Sequence, residues 1–327
     1  MKKNNRVTFK GLFQVLKESF LAFDDDKVTK LSGSLAYSTI FSLAPLLIVI
    51  ISLCGIFLGK EAIEGTIYQQ LKGFVGTDSA KQLQDIIKNA TISGKSRMAA
   101  IIGGITLLIG ATAIFSEIQD SINGIWGIKP KPKKGWLKFF QNRFLSFSLI
   151  VGLGFLLLVS LSVNTLIDGF NSSLQAWFPD VSIVLFYIIN IIVTAAIVTL
   201  IFAVIFKVLP DADIRWKDVA AGAFTTALLF MLGKLIISLY ISKSNIGSTF
   251  GTAGSLVVLL VWVYYTSIIL YFGAEFTKAW SVKYGSAIKP NHYAILTKVI
   301  EVQTGSETIQ ENEKNTNNIE IKKAIIK

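Results

Sequence analysis

The chain has 327 residues, of which 52% are apolar and 16% are charged, with a formal net charge of +11; soluble globular chains average roughly 25% charged residues. The single cysteine, Cys54, excludes a disulfide framework or a cysteine-based zinc cluster, and the single histidine, His292, excludes a site that needs two imidazoles. We therefore interpret the chain as a polytopic membrane protein and not as a water-soluble globule.

The first 34 residues are predicted to form a cytoplasmic amphipathic segment. Six apolar side chains recur there at helical spacing: Phe9, Leu12, Phe13, Leu16, Phe20 and Phe23. The pattern fits a helix that lies in the inner membrane interface, and it fits equally a helix that packs against the bundle.

Six apolar runs are each long enough to cross about 30 Å of hydrocarbon. They cover residues 35–58, 98–115, 144–167, 181–206, 219–242 and 254–276. Inside them only Lys234 and Glu275 carry a formal charge, although the chain holds 32 Lys and Arg and 21 Asp and Glu. The runs are too long for barrel strands and do not alternate, so they predict an all-α bundle of six transmembrane helices.

The basic residues of the short loops predict the orientation of the bundle. Loop 116–143 carries six Lys and Arg and loop 207–218 carries three, while loop 168–180 carries none. Short loops rich in Lys and Arg stay in the cytoplasm, so both termini are expected there. We expect the inner-face lysines to meet the anionic headgroups of membrane lipids and not nucleic acid.

The remaining segments complete the predicted organisation. The first external loop, 59–97, shows two amphipathic stripes that predict two short helices, which would cap the bundle, rest on the outer leaflet or meet a partner. The membrane domain extends over 35–285, and 286–327 is predicted to be a polar, partly disordered cytoplasmic tail.

The first predicted span contains a proline among hydroxyl side chains. Pro45 has no N–H for the carbonyl of Phe41, so the helix is expected to kink there. A kink with hydroxyl groups such as that of Tyr37 suits a binding cavity, and a packing kink at a helix interface is the competing interpretation.

Lys234 is the sharpest polar feature, because a cation inside a span costs several kcal/mol unless it snorkels, pairs or faces water. It lies roughly 12 Å below the outer end of its span. Either the ammonium snorkels to outer headgroups, or it attracts an anionic ligand in a cavity. A polar partner such as Asn164, or Asn190 near the middle of the fourth span, is the third interpretation.

Glu275 lies one residue from the inner end of the last span. It is a candidate ion, proton or gating site at the cytoplasmic mouth. The structural interpretation, which we weight more heavily, pairs it with Lys207, Arg143 or Lys278.

Three stretches together resemble a known family. They are Ala36 to Ser42 with Pro45; Asn123, Ile125, Trp126 and Gly127; and Gly251 to Glu275 with Trp262, Tyr264, Gly273 and Ala274. They are similar to the YihY/BrkB family of bacterial inner-membrane proteins, over roughly residues 7–285. The resemblance implies a multi-pass protein with six helices in the bacterial cytoplasmic membrane. Family labels include virulence factor and ribonuclease BN-like, and roles in envelope lipid handling or export have been suggested for relatives.

We therefore expect a transporter or flippase-like protein for an anionic or amphipathic envelope component. In this hypothesis Lys234, Asn190 and Tyr37 bind the substrate, while Glu275 and Pro45 serve gating or ion binding. A non-transporting membrane scaffold or envelope-integrity protein is the alternative. A membrane-bound ribonuclease ranks third, because the residues offer neither a general base nor a metal site. We predict no catalytic residue, metal or cofactor; membrane lipids are the expected partners, and a homo-oligomer is compatible with the sequence.

Overall fold

The computed structural model describes residues 7–42, 110, 113–131, 179–243 and 254–298. Within these ranges the side chains of 179–187, 190, 238–243 and 254–256 are outside the description. The predicted span 144–167 with Asn164, the two helices predicted for loop 59–97, and Pro45 lie outside the described residues. So do most of the predicted spans 35–58 and 98–115.

Three helices precede the first strand in the described part of the chain. Helix α1 (Phe9–Asp25) begins at Thr8, whose side chain accepts a hydrogen bond from the backbone N–H of Gly11 at 3.2 Å. A tight turn at Asp26 and Lys27, the latter with φ of 52°, redirects the chain into α2 (28–42). Helix α3 covers 113–125.

Three longer helices follow: α4 (Pro179–Val208), α5 (Trp216–Lys243) and α6 (Gly254–Lys283). Among the described residues these three are long and apolar enough to cross a membrane, over Ile191–Val208, Trp216–Ile237 and Val257–Lys283. The spans predicted at 181–206, 219–242 and 254–276 fall within them. The structure is mostly helical, as predicted, and these three spans account for half of the six expected.

Four short strands lie at one end of the helices. They are β1 (Ile128–Pro130), β2 (Ala212–Asp213), β3 (Lys289–Pro290) and β4 (Ala294–Leu296). Strand β1 pairs antiparallel with β4, and β2 pairs antiparallel with β3. The two ribbons join the end of α3, the α4–α5 connection and the chain after α6, and we call this end of the molecule the strand end. The all-α prediction did not include these strands.

Helices α5 and α6 approach closely because glycine faces a hydroxyl side chain at successive turns. A Cβ atom on Gly222 would lie 2.8 Å from Cβ of Thr277, and one on Gly273 would lie 2.9 Å from Cγ2 of Thr226. Small residues with hydroxyl neighbours are the usual way in which membrane helices bring their backbones together. The same pattern fixes the register of α5 against α6.

Among the described residues, the buried core lies between the helices near the strand end. Phe206 of α4, Ile122 of α3 and Tyr271 of α6 are fully buried there. Helix α1 packs against α6 through a stripe of Gly11, Val15 and Ser19. Burial of this apolar surface fixes the positions of the polar groups considered next.

Candidate functional site

Lys234 lies on the inward-facing stripe of α5. It recurs at helical spacing after Ala223 and Ala227, which are fully buried. The exposed apolar side chains of the same helix occupy a different face; they are Phe224, Leu228, Leu232, Leu235 and Ile236. Lys234 is exposed although it continues a buried stripe, so the stripe opens at its level and gives its side chain access to the molecule's surroundings.

Aromatic rings of α4, α5 and α6 pack together near the level of Lys234. Phe230, one turn nearer the strand end, packs edge-on against Phe202 of α4 and Trp262 of α6, with ring centroids 6.0 and 6.1 Å away. On the adjacent face, Gly233 lies against the ring of Tyr265 of α6. Lys234 thus lies within about one turn of an aromatic cluster to which α4, α5 and α6 all contribute.

Helix register places the other predicted residues of α4 and α6 at different depths. Gly222 faces Thr277 and Gly233 faces Tyr265, so Glu275 lies about ten residues, roughly 15 Å, from the level of Lys234. The Phe202–Phe230 contact gives the register of α4. It places the backbone of Asn190 about 12 Å from the level of Lys234, away from the strand end. These three residues are therefore spread along the bundle and do not form one compact site.

Tyr37 lies on α2 and is 67% exposed, with its ring 4.9 Å from that of Phe41. The same helix contacts α3 where the hydroxyl of Ser34 donates to the carboxylate of Glu117 at 2.6 Å. The role predicted for Tyr37 in substrate binding stays a prediction.

Glu275 is the buried member of a charge cluster that joins three parts of the chain. Its side chain is 0% exposed, and its Oε2 lies 3.5 Å from Nζ of Lys278, one turn along α6. The same ammonium donates to Oδ2 of Asp26 at 3.2 Å and to the carbonyl of Ile125 at 2.6 Å. Of the three basic partners expected for Glu275, Lys278 is observed, and Arg143 lies outside the described residues. Lys207 instead donates to Asp213.

Asp211 is a second buried carboxylate, and the sequence did not predict its burial. It lies 2% exposed in the α4–α5 connection and accepts hydrogen bonds from the amides of Gln119 and Asn123, each at 3.1 Å. Its backbone N–H donates to Oδ1 of Asn123 at 2.8 Å, and its carbonyl accepts from the N–H of Asn291. Asp211 therefore joins α3 to the chain after α6. The signal available in the sequence was Asn123 in the stretch that carries the family resemblance.

The hydroxyl of Tyr293 completes this junction. It accepts a hydrogen bond from the amide of Asn291 at 3.2 Å. Burial raises the pKa of Tyr293 above its ordinary value, and the negative charge of Asp211 acts in the same direction. We expect the neutral phenol in the folded protein.

A third carboxylate ties the beginning of α5 to the end of α6. Asp218 accepts hydrogen bonds from the backbone N–H and the hydroxyl of Ser286, each at 3.0 Å. Residues 286–296, which the prediction assigned to a partly disordered tail, thus contact the bundle and form β3 and β4. Among the described residues there is no group of three His, Cys, Asp or Glu side chains that could hold a metal ion.

The comparisons with known proteins agree with one another on the family. The family described as "Virulence factor BrkB" matches residues 19–294. A "UPF0761 membrane protein" of Pseudoalteromonas atlantica is 26% identical over 268 residues, which are 81% of this chain and 85% of that protein. Proteins with the same description from Prosthecochloris aestuarii and Cronobacter sakazakii are each 27% identical. Those alignments cover 79% and 80% of this chain, and 60% and 86% of the two relatives. No solved structure matches the chain.

Proposed function

The chain belongs to the Virulence factor BrkB family of integral membrane proteins, and on this premise we propose that it moves an anionic amphiphile of the cell envelope across the membrane. One observation carries the proposal: Lys234 stands on the inward stripe of α5 and is nevertheless exposed. In this function Lys234 attracts the anionic head of the substrate.

The position of Lys234 favours an aqueous or ligand-filled groove over snorkelling. A lysine near the middle of a span costs about 2.5–3.5 kcal/mol on insertion scales. Snorkelling lowers this cost when the side chain runs along the lipid-facing surface. The exposed face of α5, with Leu232 and Ile236, points away from the stripe that carries Lys234.

The surroundings of Lys234 suit an amphiphile and not a small inorganic anion alone. A lysine ammonium binds phosphate as a point charge. Within about one helical turn of it, Phe230 and Trp262 offer apolar ring surface to a hydrocarbon chain. A molecule with a phosphate head and an acyl or isoprenoid tail satisfies both parts of the site.

The proposed setting is the cytoplasmic membrane of a bacterium, with six spans and with the strand end in the cytoplasm. The loops that the ribbons join are those rich in Lys and Arg, 116–143 and 207–218. Exposed Lys129 and Lys131 also lie at this end. An anionic inner leaflet attracts such residues by about 1 kcal/mol each.

Reconstitution into liposomes tests the proposal. Purified protein is inserted into vesicles that contain a fluorescent anionic phospholipid or a zwitterionic one, and transfer between leaflets is followed with a membrane-impermeant quencher. We expect the wild type to move the anionic lipid, and Lys234→Ala to slow it at least about tenfold, equivalent to roughly 1.4 kcal/mol. Lys217→Ala, which removes an exposed lysine at the beginning of α5, is the matched control and retains the wild-type rate.

A membrane scaffold is the second candidate, and the exposed face of α1 favours it. Phe9, Phe13 and Phe20 are 90%, 66% and 65% exposed, beside the stripe that packs on α6. Such a face inserts into the headgroup layer and organises lipids or recruits a partner there. No lipid movement by wild type above that of empty liposomes, under any imposed gradient, favours the scaffold over the transporter.

A further inference from the structure

The carboxylate of Glu275 is buried without a matching set of hydrogen-bond donors. Neither of its oxygens has a hydrogen-bond partner within the described residues, and its side chain is 0% exposed. The nearest cation, Nζ of Lys278, is 3.5 Å from Oε2, beyond the usual range of 2.7–3.2 Å for a strong N–H···O bond. Buried ionised groups in proteins are normally paired and hydrogen-bonded.

Lys278 already donates hydrogen bonds to other acceptors. Its ammonium has three N–H donors, and the shorter contacts go to Oδ2 of Asp26 at 3.2 Å and the carbonyl of Ile125 at 2.6 Å. Two carboxylates therefore share one ammonium, and with both ionised the cluster holds one excess negative charge.

The helix ends around the cluster increase this excess. Asp26 caps the C-terminus of α1, and Ile125 is the last residue of α3. Helix C-termini carry partial negative charge, equivalent to roughly half an elementary charge each. Two such ends and two carboxylates face one lysine, so with both carboxylates ionised the cluster lacks about two units of positive charge.

No other described element supplies that charge. Helix α5 faces α6 in this region with Gly222 and Thr226, which are uncharged. On the α3 side, one turn from Glu275, the phenol of Tyr271 lies near Ser121 and the acidic Glu117. The charged neighbours of Asp26 in its own turn, Asp24, Asp25 and Lys27, are exposed to solvent.

We propose that Glu275 is a proton-binding site, and that its proton decides whether Lys278 holds the α1–α2 turn. On protonation, an O–H bond forms on the Glu275 carboxylate with a proton from water at the strand end, and Lys278 keeps its charge throughout. The neutral carboxyl leaves Lys278 bonded to Asp26 and Ile125, which is the arrangement observed. On release of the proton, Glu275 becomes an anion that competes for Lys278.

The switch acts on the attachment of α1. Besides the Lys278–Asp26 bond, α1 contacts α6 through the rings of Phe20 and Phe23 on Phe272, with centroids 4.9 and 6.4 Å apart. When Lys278 moves towards Glu275, its ion pair with Asp26 is lost. Within the described residues this is the one ion pair between Asp26 and α6. Proton release therefore loosens the α1–α2 turn against α6. Use of this switch to drive transport rests on the function proposed above, whereas the proton site itself does not.

Infrared difference spectroscopy on the full chain in lipid tests the proton site. Spectra of wild type minus Glu275→Gln, recorded across a pH titration, should contain the C=O band of a carboxylic acid that disappears as the pH is raised. Glu18→Gln, an exposed carboxylate on α1 that accepts from Gln14, serves as the matched control for solvent-exposed titration. A difference spectrum without a titrating carboxylic-acid band overturns the proposal.

Distance measurements test the consequence for α1. Spin labels are placed at the exposed positions Leu21 of α1 and Val282 of α6, with Cys54→Ser as background. We expect the label distance to lengthen or broaden with rising pH, and to become independent of pH in Glu275→Gln, which keeps the neutral side chain. An equal pH response in that variant overturns the switch. Because neither readout uses transport, a protein that binds this proton but moves no lipid disproves only the transport function.

Discussion

Gly222 is the residue at which one added methyl group most directly tests the α5–α6 packing. A Cβ atom there would lie 2.8 Å from Cβ and 3.3 Å from the backbone Cα of Thr277, so rotation of the threonine side chain does not relieve the overlap. Overpacking of this kind costs about 1–3 kcal/mol, while replacing glycine by alanine in a helix gains about 0.5–1 kcal/mol. For Gly222→Ala we expect a net loss of up to about 2.5 kcal/mol.

Gly33→Ala in α2 is the matched control, because a Cβ atom there would meet nothing within 4 Å. Gly33→Ala gains helix propensity but creates no steric overlap. The free energies of unfolding of the two variants should therefore differ by the overpacking cost of about 1–3 kcal/mol. Unfolding by SDS in mixed micelles, followed by tryptophan fluorescence, measures this difference. Equal stability of the two variants would refute the close approach of α5 and α6 at this turn.

Two further predictions concern the polar junction at the strand end. Asp211→Ala leaves the buried amides of Gln119 and Asn123 without their acceptor, so the free energy of unfolding should fall by at least about 2 kcal/mol. The control Asp213→Ala breaks an exposed ion pair and should change the free energy of unfolding little. Equal effects of the two substitutions in the same SDS unfolding assay would contradict the role of Asp211. Because burial raises the pKa of Tyr293 above 10.0, the folded protein keeps this proton when the unfolded chain has lost it. Stability should therefore fall as the pH rises above about 10, and Tyr293→Phe should flatten the curve in that same range. An unchanged slope would show that Tyr293 titrates alike in both states.

The sequence predicts the long helices well because lipid imposes a composition on them. The apolar runs 181–206 and 219–242 match α4 and α5 to within a few residues at each end. The run 254–276 begins with α6 but ends before it, since the helix continues to Lys283. Hydropathy marks where the hydrocarbon ends, and a helix can continue beyond that boundary into the interface and the cytoplasm.

Short non-local pairings are the part that the sequence does not show. Strands β1 and β4 are three residues each and lie more than 160 residues apart in the chain, so neither has a detectable alternation. The burial of Asp211 depends on amides from α3, which hydropathy cannot reveal. Likewise, Lys234 and Glu275 are conspicuous as charges in apolar runs, but their separation along the bundle emerges only from the register of α5 against α6.

The exposure of position 234 to water directly tests whether a groove opens beside Lys234. With Cys54→Ser as background, Lys234→Cys and Leu232→Cys are each treated in liposomes with a charged, membrane-impermeant thiol reagent, and labelling is quantified by mass spectrometry. We expect the cysteine on the inward stripe to react, while the one at position 232, on the exposed apolar face, is shielded by lipid. Equal protection of both cysteines, or faster labelling at 232, would contradict a groove at Lys234.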